Sequence, residues 1–213
     1  MSDTLVKICG LSSPETLLSA ISAGADMAGF VFFEKSPRHI DLETARTLGA
    51  LAAGRIRKVA LTVDADDDAL EAIIDDLEPD FLQLHGRESP ARVAAVKARF
   101  GLPVIKAIGV ATAEDVAAAK SYEDVADILL FDAKPEPGAA VPGGAGVAFD
   151  WELLRNISAK HWMLSGGLDA ENVAEALRRT GALAVDVSSG VERERGVKDA
   201  GKINAFIEAV RSL

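Results

Sequence analysis

The stretch TLVKICGLSSPETLLSAISAGADMAGFVFF, residues 4–33, sets the pattern that the rest of the chain repeats. It begins with a short apolar strand over residues 4–8, followed by a serine, a proline and an early acidic residue that together predict a helix start. The helix is expected to end at Gly24. Residues 27–33 are an apolar run typical of a parallel strand buried on both faces, so the stretch predicts one strand-helix-strand unit.

The same alternation continues to the end of the chain. It predicts strands at residues 58–63, 81–84, 104–108, 128–131, 162–164 and 183–187, and helices at 42–53, 69–77, 90–100, 112–120, 151–157, 169–177 and 203–213. About eight strand-helix pairs in 213 residues predict a single domain, residues 1–213, with the α/β fold of a (β/α)8 TIM barrel. A doubly wound open sheet is the alternative, which the lack of a glycine-rich dinucleotide fingerprint after the first strand disfavours. Residues 133–148, rich in Gly, Pro and Ala, predict a long loop inside this domain.

Composition excludes several classes of function. Hydrophobic residues make up 49% of the chain and charged residues 26%, which is typical of a globular protein and not of a disordered one. The net charge of -10 disfavours non-specific binding of nucleic acids or acidic membranes, because these partners need a basic face. One cysteine and three scattered histidines do not predict a disulfide or a metal site. With no signal-peptide pattern and no apolar run of roughly 18 residues, we expect a cytoplasmic protein.

Two candidate catalytic residues come from opposite parts of the chain. In a barrel of this kind the C-terminal ends of all strands open onto one face, which brings together Cys9 after strand one and Asp132 after strand six. A thiolate can remove a proton, and a partly desolvated aspartic acid can donate one, so the pair could carry out a proton-transferring isomerisation without a metal. The alternatives are a buried cysteine that only fills space and an aspartate that caps a turn.

Two turns at the same face are typical of a phosphate site. They comprise Ser165, Gly166 and Gly167 after strand seven, and Ser188, Ser189 and Gly190 after strand eight. Glycines let the backbone approach an oxyanion, and exposed N–H groups donate hydrogen bonds to it. Barrels often bind phosphate at these two loops, although each turn alone is common turn chemistry.

Four further side chains are weaker candidates, and two of them have two interpretations each. Arg38 could bind a carboxylate in a bidentate manner or be a solvated surface arginine, and His85 could carry a proton or be structural. Lys7 alternates with Cys9 on the first strand, so it could face the same interior and form a Schiff base, as in an aldolase. Asp64 lies beside an acidic run that is most simply a solvated helix start.

Eight motifs connect the chain to a known family. They are KICGL (7–11), GFVFFEKSPRHI (29–40), LQLHG (82–86), LLFDAK (129–134), GGAGVAFDW (143–151), LSGGLDAENV (164–173), VDVSSGVE (185–192) and GVKD (196–199). With these motifs the chain resembles the phosphoribosylanthranilate isomerase family of tryptophan biosynthesis from its first strand to its last. The resemblance implies a barrel without a cofactor that converts N-(5-phosphoribosyl)anthranilate to 1-(2-carboxyphenylamino)-1-deoxyribulose 5-phosphate by an Amadori rearrangement.

The resemblance also implies roles for individual residues. Cys9 would be the general base and Asp132 the general acid, while Arg38 would hold the anthranilate carboxylate. The two glycine turns would hold the phosphate, and Asp186 of the VDVSSG motif would be a further substrate contact. The sequence itself does not show what stabilises the thiolate; Lys7 is the nearest candidate, and the alternative is that its place beside Cys9 is purely positional. A charged loop, residues 192–196, stands where the family pattern leads us to expect a proline.

The partner implied is a small phosphoribosyl substrate, and the expected state is a monomer or weak homo-oligomer. Two other functions stay open at this point. One is the related aminoaldose isomerase of histidine biosynthesis, which resembles this chain but uses a pair of aspartates, one of them at the position of Cys9. The other is a phosphosugar-binding barrel without catalytic activity.

Overall fold

The computed structural model describes residues 4–134, 149–155, 157 and 159–213. Eight parallel strands close into a barrel in the order of the sequence: β1 Leu5–Cys9, β2 Met27–Phe32, β3 Arg57–Thr62, β4 Phe81–Leu84, β5 Val104–Val110, β6 Ile128–Ala133, β7 Trp162–Leu164 and β8 Ala184–Val187. The barrel closes where β1 pairs with β8, from Leu5 opposite Ala184 to Ile8 opposite Val187. The predicted (β/α)8 barrel is confirmed. The alternative of an open sheet is wrong, because the first and last strands, β1 and β8, pair with each other.

Helices connect the strands on the outside of the barrel. They are α1 Pro14–Ala23, α2 Leu42–Ala52, α3 Asp67–Leu77, α4 Pro90–Phe100, α5 Ala113–Ala118, α6 Val173–Thr180 and α7 Ala200–Arg211. The signals that predict α1 are all present: the Ser13 hydroxyl accepts the Thr16 N–H, Pro14 is the first helical residue, and Gly24 ends the helix at φ 87°. None of the described helices is long and apolar enough to cross a membrane.

Several segments differ from the sequence-based expectations. The helix predicted at 151–157 is only a 3-10 turn, Trp151–Leu154. The helix expected to start at Asp169 begins at Val173, because the Asp169 carboxylate instead accepts the N–H groups of Glu171 and Asn172 in a turn before it. A small antiparallel hairpin, β9 Glu192–Glu194 and β10 Val197–Lys198, follows β8. Of the predicted loop 133–148, Ala133 ends β6 and residues 135–148 lie outside the described part of the chain.

The strand side chains alternate between two environments, as the period of two in a strand requires. On β1, Val6 and Ile8 belong to the large apolar layer shared with the helices. Lys7 and Cys9 point the other way, into the barrel. The lower interior of the barrel is filled by apolar side chains, among them Met27, Val59, Ile105, Leu130 and Met163. Polar side chains are concentrated above this layer, towards the C-terminal ends of the strands.

Candidate active site

Cys9 lies at the end of β1 with only 4% of its surface exposed, packed beside Val31 and Leu61. Gly29 of β2 is its partner in the strand register. A Cβ atom at Gly29 would lie 3.0 Å from the Cys9 Sγ and 3.1 Å from the Lys7 Nζ. The missing side chain therefore makes room for both groups, which share one place in the barrel interior.

The charges around Cys9 act on its thiol in opposite directions. Burial raises the pKa of the Cys9 thiol above its ordinary value, and the carboxylate of Asp186 adds to that effect. Lys7 and Lys198 act in the opposite direction, but they do not outweigh the burial. The thiol is therefore the resting form, and its ionisation depends on these two cations.

Lys7 is fully buried, and its ammonium lies 2.7 Å from Oδ1 of Asp186 in β8. Burial on its own would lower the pKa of Lys7, but the carboxylate of Asp186, with a smaller contribution from Cys9, raises it. A Schiff-base lysine needs a neutral amine, so this ion pair disfavours the aldolase interpretation. The other Asp186 oxygen, Oδ2, accepts the Ser165 hydroxyl at 3.4 Å, which connects the ion pair to the turn after β7.

Asp132 lies at the upper end of β6, 6% exposed. Its Oδ2 atom is 3.4 Å from Nε2 of His85, and the Nδ1 atom of His85 is 3.0 Å from Nε2 of Gln83. Its Oδ1 atom accepts the N–H of Ala133 at 2.9 Å. Both carboxyl oxygens are thus held, and His85 touches the candidate acid instead of lying apart from the site.

Arg38 is 5% exposed, so it is not a solvated surface arginine. Its Nε and Nη2 atoms bind the two carboxylate oxygens of Glu192 at 2.7 and 2.9 Å. The Arg38 side chain packs against Gly10, where a Cβ would lie 2.7 Å from its Cδ atom. Gly10 has a φ of 81° and directly follows Cys9, so the backbone turn after the thiol is shaped to hold the arginine.

Glu192 is shared between two cations. The ammonium of Lys198 lies 2.7 Å from its Oε1 atom and also donates to the Ser188 carbonyl at 2.8 Å. Burial opposes ionisation of Glu192, but Arg38 and Lys198 lower its pKa to about 2. Burial lowers the pKa of Lys198, and the nearby Arg38 contributes to this, although Glu192 opposes it. We call Arg38, Glu192 and Lys198 the charge cluster.

The two turns predicted to bind phosphate lie against each other. Gly166 and Gly167 have φ values of 89° and 65°, in the left-handed region that favours glycine. Gly190, in the 3-10 turn Ser189–Val191, comes so close to the preceding turn that a Cβ there would lie 1.9 Å from the Leu168 carbonyl oxygen. The Ser188 hydroxyl donates to the Cys9 carbonyl at 3.1 Å, which joins this turn to the end of β1.

A second buried ion pair supports the loop that carries His85. The ammonium of Lys106 lies 2.8 Å from Glu88 and donates to the carbonyls of Leu84 and Gly86, on either side of His85. Glu88 also accepts the backbone N–H of Asp64 at 2.9 Å. Asp64, which is exposed, in turn accepts the N–H of Arg87, and the acidic run after it starts α3, with Asp66 as the cap, as the sequence predicts.

The structure brings the sequence-predicted residues together at one end of the barrel, and it adds four that the sequence analysis missed: Glu192, Lys198, Glu88 and Lys106. The sequence marks Lys106 by a charge in an otherwise apolar strand, and Glu192 and Lys198 by their place in or next to the charged loop after β8, but no such signal marks Glu88. Among the described residues, no group of three or more His, Cys, Asp or Glu side chains could hold a metal ion.

A family model described as N-(5'-phosphoribosyl)anthranilate (PRA) isomerase matches residues 6–209, a range that contains every site residue named above. The chain belongs to the PRA isomerase family. It is therefore an isomerase of tryptophan biosynthesis, of the intramolecular aldose-ketose class.

Curated PRA isomerases resemble the chain over almost its whole length. The isomerase of Rhodopseudomonas palustris strain BisB18 is 58% identical over 209 residues, which cover 98% of this chain and 96% of the relative. The isomerase of Nitrobacter hamburgensis is 59% identical, with 98% and 93% coverage.

Solved PRA isomerases share the fold. The structure of the Thermotoga maritima enzyme superposes with a TM-score of 0.87 at 34% identity, covering 99% of this chain and 100% of that one. A PRA isomerase in complex with reduced 1-(o-carboxyphenylamino)-1-deoxyribulose 5-phosphate gives a TM-score of 0.85 at 33% identity with the same coverage. Another Thermotoga maritima structure is described as monomers generated from a dimeric PRA isomerase.

Proposed function

We propose that this chain converts N-(5'-phosphoribosyl)anthranilate to 1-(2-carboxyphenylamino)-1-deoxyribulose 5-phosphate by an Amadori rearrangement without a cofactor. Cys9 is the general base and Asp132 the general acid. The observation that carries the proposal is the similarity, over 99% of the chain, to a PRA isomerase that binds the reduced form of this product.

In the first step Asp132 gives a proton to the ribose ring oxygen. The bond between that oxygen and C1 breaks, and the anthranilate nitrogen forms a protonated Schiff base with C1. The thiolate of Cys9 then takes the proton from C2, and the electron pair of that C–H bond becomes the C1–C2 double bond of an enolamine. The enolamine tautomerises to the ketone.

This scheme balances its protons and needs no external oxidant. Asp132 loses one proton and Cys9 gains one, so transfer of a proton from the thiol to the carboxylate through solvent returns the pair to its reactive form, with Cys9 as thiolate and Asp132 as acid. C1 is reduced and C2 oxidised within the same molecule, which agrees with the intramolecular class of the family. The protein must therefore supply only placed acids, bases and charges.

Substrate binding is assigned to three groups around this pair. Arg38, held by Glu192, binds the anthranilate carboxylate through charge-assisted hydrogen bonds. The turns Ser165, Gly166, Gly167 and Ser188, Ser189, Gly190 bind the phosphate through backbone N–H groups. Asp186, which binds Lys7 and accepts the Ser165 hydroxyl, is a further substrate contact.

The proposal includes the state of the protein. Residues 1–213 form one domain, and the enzyme is a monomer or a weak homo-oligomer, which sedimentation of the purified chain measures. The cytoplasmic location stays a prediction.

Growth rescue tests the function in cells. We expect the gene to restore growth without tryptophan to a strain that lacks this isomerase, and the Cys9→Ala and Asp132→Asn variants to fail. Asp124→Asn, which changes an exposed aspartate, is the matched control and should rescue. No rescue by the unaltered chain, with the protein present and folded, would favour the phosphosugar-binding barrel, and rescue of a histidine auxotroph in its place would favour the histidine-pathway isomerase.

A further inference from the structure

Lys7 is a buried lysine of the barrel interior to which the proposed reaction assigns no step. We propose that Lys7 is the counter-ion of the Cys9 thiolate: its ammonium, held by Asp186, faces the negative charge that forms when Cys9 acts as a base. The catalytic meaning of this pair rests on the proposed function, but the pair itself is a property of the protein without substrate.

The geometry places the two groups side by side. Lys7 and Cys9 are two residues apart on β1, so their side chains leave the strand on the same face. The Lys7 Nζ and the Cys9 Sγ lie 3.1 and 3.0 Å from a single point, the position of the Cβ that Gly29 lacks. Both side chains are buried, so water does not screen the charge of one from the other.

The charged groups that act on the thiol come from three strands. Lys7 belongs to β1, Asp186 to β8 and Lys198 to β10, while β2 and β3 present the apolar side chains of Val31 and Leu61. Lys198 already has its ammonium on Glu192 and Ser188. A thiolate without Lys7 would face the carboxylate of Asp186 in an apolar pocket, so Lys7 is the cation on which ionisation of Cys9 chiefly depends.

Asp186 has two effects in this arrangement. Its contact of 2.7 Å keeps Lys7 charged and fixes the ammonium beside β1. Its own negative charge disfavours the thiolate. Removal of Lys7 and removal of the Asp186 charge should therefore move the acidity of Cys9 in opposite directions, which a purely structural role of the ion pair would not produce.

Cys9 is the only cysteine of the chain, so thiol alkylation reports on it alone. The test is the rate of alkylation by iodoacetamide between pH 6 and 10, without substrate, for the unaltered protein, Lys7→Met and Asp186→Asn. We expect Lys7→Met to raise the pKa of the thiol and to slow alkylation at neutral pH about tenfold or more, since each pKa unit changes the thiolate fraction tenfold. In Asp186→Asn the remaining ammonium faces the thiolate alone, and we expect faster alkylation at neutral pH.

Lys106→Met is the matched control, because it removes another buried lysine, on β5, from its ion pair with Glu88. It should leave the alkylation profile unchanged. An unchanged profile in Lys7→Met, or a shift in the same direction in both test variants, would overturn the proposal. If Lys7→Met does not fold, as judged by circular dichroism, Asp186→Asn decides: an unchanged or raised thiol pKa refutes the counter-ion role.

The counter-ion role of Lys7 and the proposed function can be refuted separately. If the thiol responds as expected but the protein does not turn over the phosphoribosyl substrate, the ion pair stands and the function is wrong. If the protein is an active isomerase but Lys7→Met leaves the thiol and the pH profile of kcat/KM unchanged, the function stands and Lys7 is not the counter-ion.

Discussion

Replacing Glu192 by Gln should destabilise the protein strongly at neutral pH, because it removes the only anion of the charge cluster. Arg38 and Lys198, exposed by 5% and 4%, would then be two buried cations next to a neutral amide. Breaking a buried ion pair in this way typically costs about 3–5 kcal/mol.

The pKa of Glu192 gives an independent estimate of this magnitude. In the folded protein it is about 2, against an ordinary value of 4.5. A difference of one pKa unit corresponds to about 1.36 kcal/mol, so the ionised carboxylate contributes ~3 kcal/mol to the free energy of unfolding. Lys198 can release its proton in the variant, which relieves part of the repulsion and makes this an upper value.

The sign of the pH dependence follows from the lowered pKa. Below pH 4.5 the unfolded chain takes up a proton on Glu192 that the folded chain does not, so the stabilisation falls as the pH decreases and is lost near pH 2. In Glu192→Gln this contribution is missing at every pH. The stability difference between the two proteins should therefore be about 2–3 kcal/mol at pH 7 and shrink steadily between pH 4.5 and 2.

Urea unfolding followed by tryptophan fluorescence measures this difference. The matched control is Glu194→Gln on the same hairpin, whose side chain is 69% exposed and which should change the stability by less than about 0.5 kcal/mol. A loss at pH 7 as small as that of the control would show that the Glu192 carboxylate does not stabilise the charge cluster, and so would a large loss that does not change with pH.

Two further predictions concern the mouth of the barrel. Gly190→Ala should weaken binding of inorganic phosphate and lower the melting temperature, because a Cβ would lie 1.9 Å from the Leu168 carbonyl oxygen. The control Gly54→Ala, at a glycine with a left-handed φ but open space around it, should lower the melting temperature without affecting phosphate binding. Equal phosphate binding in both variants would contradict the assignment of the Gly190 turn to the phosphate. His85→Ala should reduce kcat by about 10-fold or more with a smaller change in KM, because Asp132 loses the contact at 3.4 Å that orients it; steady-state kinetics with an unchanged kcat would argue against that role.

Local sequence signals predict most of the barrel. The strand at 81–84, the helix at 90–100 and the strand at 162–164 have the bounds that the structure gives them, because apolar runs and helical spacing are flanked there by clear start and stop residues. The predicted helix start at Asp169 is wrong because an aspartate side chain can cap a turn as readily as a helix.

The sequence predicts less of the site, because the contacts of the site join distant parts of the chain. Lys7 and Asp186 are 179 residues apart, and Arg38 and Glu192 are 154 apart. The predicted barrel fold places these residues at one end of the barrel, but it does not specify which charged side chains form ion pairs. The sequence therefore predicts Arg38 as a carboxylate ligand without the glutamate that binds it in the structure. The only turn signal in the hairpin that carries this glutamate is Gly196.

The proposed mechanism depends most on the acid-base pair Cys9 and Asp132, and turnover by purified protein tests this pair directly. The rate of loss of N-(5'-phosphoribosyl)anthranilate, followed by its fluorescence, should be measurable for the unaltered chain and lower by about 10²-fold or more in Cys9→Ala and in Asp132→Asn, since general acid and base groups each contribute factors of that order. Turnover within tenfold of the unaltered chain in either folded variant would contradict the role of that residue in the mechanism.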